Sequence, residues 1–179
     1  MVRTLFYGDV EVPVVAVKEG SYRVGVLEIK FKPGVKTEVP YRVLGELLKE
    51  GAVRIDEDSL IGLQDLGKVM WMESKTQDLT KLEEGFYLKA MLYFKGLRRR
   101  VLEGDEEAER KYRKAKIVFE DIVRLRLTKI SQLAVANPVP SRDLMSRMTR
   151  EEKVFYARLC SLVGTWERGL KDFVEVGEE

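Results

Sequence analysis

Residues 31–51, FKPGVKTEVPYRVLGELLKEG, contain the point at which the chain changes its period, and the fold class follows from that change. Before Pro40 the apolar residues alternate as they do along a strand. After it, Val43, Leu44, Leu47 and Leu48 recur every three or four positions, the spacing of one helix face. Proline suits the first helical turn because its φ is already helical and its missing N–H would have no partner there. Gly51 stands where a left-handed residue closes a helix. Pro33-Gly34 predicts a type II turn, with proline at the first central position and glycine accepting the positive φ of the second.

Upstream of this point the chain is rich in β-branched residues. Val10, Val12, Val14, Val15 and Val17 form one run, and Val24, Val26 and Ile29, leading to Phe31, form another. Glu19-Gly20-Ser21 supplies turn chemistry between them. Pro13 cannot donate to a ladder, so it is expected at an edge or a bulge. Val53 and Ile55 add one more strand. Asp56, Glu57 and Asp58 then offer acid to the start of a helix whose core face is Leu63, Leu66 and Met70. The expected fold class is α+β, with a small N-terminal β-rich domain carrying a short helix at residues 1–55 and an all-α helical bundle at 56–179.

Past Asp78 nearly everything reads as helix. Thr80 with Glu83 spells a capping box ahead of Phe86, Ala90, Phe94, Leu97 and Val101, and Gly104 ends that run. Asp105 can cap the next helix, which carries Tyr112, Ala115, Phe119, Ile122, Ile130 and Leu133 and stops at Asn137-Pro138-Val139-Pro140. A second capping box, Thr149 with Glu152, opens a helix striped by Phe155, Leu159, Leu162, Trp166 and Leu170, and a short acidic tail follows.

These lengths bear on assembly. About 30 helical residues span roughly 45 Å, whereas a compact domain of about 125 residues has a diameter of roughly 35 Å. An unbroken helix of that length overhangs, and its apolar face needs a second polypeptide to cover it. The alternative is a kink near Arg124 to Leu127, where the apolar phase slips. The candidate subunit-contact residues are Phe86, Phe94, Leu97, Phe119, Ile122, Ile130, Phe155, Leu159, Leu162 and Trp166.

Composition narrows the function classes. Histidine is absent among the 179 residues, so there is no histidine-based nucleophile pair, proton shuttle or metal ligand. The carboxylate clusters at Asp56 to Asp58, Asp105 to Glu109 and Glu151-Glu152 each fall at a helix start, where dipole complementation accounts for them. No catalytic residue, cofactor, metal or small-molecule substrate is expected. Gly62-Leu63-Gln64-Asp65-Leu66-Gly67-Lys68-Val69 has the glycine and lysine spacing of a phosphate loop, but Val69 replaces the hydroxyl that would hold magnesium, and Asp65 would repel phosphate. The one cysteine, Cys160, lies beside Leu159 and Leu162 and reads as a buried hydrophobe.

The net charge of +2 gives no general attraction to nucleic acid. Arg98, Arg99, Arg100, Lys111 and Lys114 nevertheless form local basic clusters, the candidates for direct DNA contact in an alternative nucleic-acid-binding function. No run of residues is apolar enough to span a membrane, so the expected location is the cytoplasm. Scarce Asn and Gln among abundant Glu, Lys and Arg point to a thermophilic source.

Three stretches together resemble subunits of the GINS replication complex. Phe31 to Pro40 running into Leu44, Leu47 and Leu48 is similar to their small β domain, where a proline-glycine turn precedes a valine-proline helix start. Lys116 to Ile130 is similar to the long helix of their helical domain, and Leu144 to Glu152 to the entry of their final helices. With the β part first, the chain resembles the archaeal subunit related to the second and third eukaryotic Partners of Sld Five. The resemblance implies a non-enzymatic role in DNA replication. It implies assembly with a sibling subunit of opposite domain order, typically as a heterotetramer, and bridging of the MCM helicase to a RecJ-family partner to activate unwinding, at the nucleoid.

Overall fold

A computed structural model describes residues 7–24 and 27–176. Val26 and the acidic Glu178-Glu179 lie outside the described residues. The architecture is α+β: strands β1 (Glu11–Ala16), β2 (Gly20–Val24), β3 (Leu27–Phe31) and β4 (Lys36–Pro40), helix α1 (Tyr41–Lys49), strand β5 (Val53–Ile55), then helices α2 (Leu63–Lys75), α3 (Phe86–Leu102), α4 (Glu106–Ala136), α5 (Arg142–Ser146) and α6 (Arg150–Val176). The chain divides into two compact units, one within Met1–Gln64 and Gly85–Lys114, the other within Asp65–Glu84 and Ala115–Glu179.

In the first unit β1 is the centre of an antiparallel sheet ordered β4-β1-β5, and β2 pairs with β3 in a separate hairpin. The change of period at Pro40 is the junction of β4 and α1. Helix α1 buries Val43, Leu44 and Leu47 against Val12, Val14 and Val39 of the sheet. It ends at Gly51, whose φ of 64° lets the Ala52 N–H donate to the Leu47 carbonyl and its own N–H to the Leu48 carbonyl. Leu88 and Leu92 of α3 complete this core.

Pro13 departs from expectation, because it sits in the central strand and not at an edge or bulge. The reason is its side of the ladder. Its carbonyl accepts from the Asp56 N–H, so its nitrogen faces β5, and β5 stops at Ile55, where no donor is required.

The Thr80–Glu83 capping box does not form either. Residues 79–83 are irregular, and α3 begins only at Phe86, after Gly85 at φ 73°. A Cβ on Gly85 would come 2.3 Å from Val10 Cγ1, so both the backbone angle and the close approach require glycine. Asp105 does cap α4, its carboxylate accepting from the Ala108 N–H at 2.9 Å. Helix α4 runs unbroken for 31 residues.

The second unit packs the last part of α4, α5 and the first turns of α6 around Leu79, Ile130, Ala134, Met148, Tyr156 and Cys160. Burying each large side chain fully contributes about 1.5–3 kcal/mol.

Candidate subunit interface

Helix α6 starts from a complete capping box. The Thr149 N–H donates to Glu152 Oε2 at 2.9 Å, and the Glu152 N–H reaches Thr149 Oγ1 at 3.4 Å. Glu152, Tyr156 and Cys160 then face the interior one turn apart. On the neighbouring flank, Phe155, Leu159, Leu162, Trp166, Leu170 and Phe173 follow one another at intervals of three or four residues, within a sector of about 80° at roughly 100° per residue. Leu159 is half-buried, but Leu162 is 67% exposed, Trp166 68% and Phe173 81%. From Arg168 to Val174 every residue is exposed. The helix therefore carries an apolar stripe that outlasts its own cover by about two turns.

What holds the start of α6 is a buried ion cluster. Arg126 of α4 is 1% exposed and uses all five of its N–H donors. Nε and one Nη donate to the two Glu152 oxygens at 2.6 and 2.7 Å, and that Nη also donates to the Arg147 carbonyl at 3.2 Å. The other Nη donates to Glu73 Oε2 and to the Thr80 carbonyl, each at 2.8 Å. Lys129 Nζ donates to Glu73 Oε1 and to the Glu73 and Asp78 carbonyls at 2.6–2.9 Å. Two cations face two carboxylates, so the cluster is neutral, and it joins α2, the segment after it, α4 and α6. A buried ion pair is tolerable only with its hydrogen bonds met, and here they are.

The predicted contact residues divide. Phe86, Leu97, Ile122 and Ile130 are fully enclosed by the chain itself and are corrected from interface to core. Helical periodicity marks an apolar face but not what covers it. Phe94 is half-buried and packs edge-on against Tyr112 at 5.7 Å, and Phe119 is also half-buried. Phe155, Leu162 and Trp166 remain open, joined by Leu170, Phe173 and Val174. Elsewhere in the same unit Trp71 is exposed with Lys75 Nζ 5.6 Å from its ring centre, and Leu127 is half-exposed.

The basic clusters are largely committed. Arg99 pairs with Glu57 at 2.6 Å, Arg100 with Asp105 at 2.7 Å and Lys111 with Glu107 at 2.6 Å. The Ala108 N–H and Arg100 hold the Asp105 carboxyl below its usual range, while Asp105 raises Arg100. Arg98 and Lys114 have no ion pair among the described residues. The Gly62–Val69 segment is mostly helix, with Lys68 bonded to Asp65 at 3.2 Å. Asp56 is buried between Lys36 at 2.8 Å and Ser59 at 2.7 Å, which lowers its pKa, and Glu57 of the same acidic triplet pairs with Arg99. Among the described residues no helix is long and apolar enough to cross a membrane.

No curated protein matches the chain significantly in sequence. A family model does: the one described as Sld5, GINS complex protein helical bundle domain, matches residues 61–171.

Proposed function

Because the chain belongs to the GINS family, whose members are non-catalytic subunits of a DNA replication complex, we propose that it is the β-domain-first subunit and binds a sibling of opposite domain order through the open flank of α6. The carrying observation is the stripe from Phe155 to Phe173, apolar at helical spacing and uncovered by the chain that makes it. Large aromatic and aliphatic anchors on a rigid helix are what a helix-to-helix interface requires. The assembled complex, a heterotetramer, bridges the MCM helicase to a RecJ-family protein and works at the nucleoid without catalysis by this chain. The β-rich part at residues 1–55 acts as a docking module carried by the assembly domain at 56–179.

Co-expression with the sibling subunit followed by light scattering tests the assembly. A stable hetero-complex is expected, with the isolated chain self-associating through the same stripe. A monodisperse monomer indifferent to the sibling would overturn the proposal. Loading that complex with MCM and the RecJ-family protein, separately and together, tests the bridge.

A further inference from the structure

The apolar stripe of α6 has a gap in it. Phe155, Leu159, Leu162 and Trp166 follow one another by alternate steps of four and three residues, and the same steps lead on to position 169 and then to Phe173. That is the seam of about 3.5 residues along which two helices pack with knobs in holes. Position 169 is a glycine. Glycine is a poor helix former, and α6 contains it twice. At Gly164 the chain fills the space itself, because a Cβ there would meet Pro138 Cβ at 3.6 Å. At Gly169 a Cβ would meet nothing within 4 Å, so neither Trp166 nor Phe173 leans over the place where the side chain is missing. Each hole on such a seam has four corners, at i, i+3, i+4 and i+7. Here they are Trp166, Gly169, Leu170 and Phe173: three large apolar residues and one bare stretch of backbone, all exposed.

We propose that Gly169 is the floor of a socket: a helix of the sibling subunit lies along the seam and sets one large aliphatic or aromatic side chain between Trp166, Leu170 and Phe173. This rests on the reading of the stripe as the sibling's binding face, and it adds where that face is entered most deeply and by what. Packing along such a seam brings the two helix axes within about 20° of one another. A knob entering a hole without a fourth side chain comes down onto the α6 backbone, so a bulky one fills the hole and a small one leaves a void whose lining loses its contacts. The glycine thereby selects the size of the residue that enters.

The test fills the socket by steps in the full chain and measures association with the sibling subunit by titration calorimetry. G169A is expected to weaken association about three- to tenfold and G169L by at least about 30-fold, as overpacking does, while neither reduces the helix content of the chain in circular dichroism. G67L, at the equally open Gly67 of α2, should leave association unchanged. If G169L binds the sibling as tightly as the original chain while L162E/W166E does not, the socket is overturned and the stripe remains the sibling's face. If L162E/W166E is not weakened either, both readings fall. An equal loss in G67L would trace the effect to helix glycines in general and overturn the socket. A drop in helix content in G169L would place the position inside the chain's own packing, and also overturn it.

Discussion

At its N-terminal end α6 is held by a capping box and by the doubly bonded Glu152–Arg126 pair, whereas from Arg168 to Val174 every residue is exposed. Twenty-seven residues, roughly 40 Å, contain both conditions. The buried end is polar and the bare end is apolar, the reverse of the ordinary rule that greasy residues lie inside. A charge can be interior when every donor and acceptor is matched. An apolar stripe can be exterior when the folded unit is only part of the functional object.

The strongest way to break this comparison is at the buried end. Replacing Arg126 with Met leaves Lys129 as the one cation of the cluster facing two interior carboxylates, Glu73 and Glu152, and the expected loss of stability is about 3–5 kcal/mol in urea unfolding of the assembled complex. A loss below about 1 kcal/mol would show that the carboxylates find other partners. At the bare end the pattern inverts. L162E/W166E should leave the chain's own unfolding within about 1 kcal/mol yet weaken sibling association by at least about 100-fold in titration calorimetry. If instead this variant unfolds the chain, the stripe is core and the contrast collapses.

Smaller effects sharpen the account. Thr149→Ala removes one half of the capping box and should cost about 1 kcal/mol, seen as a shift of the unfolding midpoint. Acid titration supplies another. Hydrogen bonds from Lys36 and Ser59 lower the Asp56 pKa below its ordinary 3.8. Its stabilising contribution is therefore complete above that value and disappears as pH falls through the lower, folded-state pKa. D56N should flatten the stability profile below pH 3.8 and nowhere above it, as followed by circular dichroism. The smallest change is expected from R98E/K114E, which should alter DNA affinity of the assembled complex by less than about twofold in anisotropy.

The parts of the molecule legible in sequence are those set by local chemistry. The switch at Pro40, the Gly51 and Gly104 helix ends, the Asp105 cap and the Thr149–Glu152 box each depend on neighbours within a few residues. Arg126 was not legible. The apolar phase of α4 slips at Arg124 to Leu127, which invites a kink, but the helix continues and the interior position is occupied by a guanidinium whose partners lie 26 and 53 residues away. Only a fold can bring such partners together. The same limit applies to the interface. Phe86 and Trp166 are both aromatic at helical spacing, and only the presence or absence of a neighbour separates them. A stripe running past the last interior position of its own helix was the available signal, and it was visible in Phe173.

Glu152 belongs to both the opening turn of α6 and the charged centre of its unit. That double membership makes the carboxylate a keystone. The first turn of α6 cannot fray without withdrawing one of the two counter-charges from Arg126, and α2 cannot leave without taking Glu73 from both Arg126 and Lys129. Segments far apart in the chain thus form or dissolve together, and a partner gripping the far end of α6 pulls on a helix whose root does not yield.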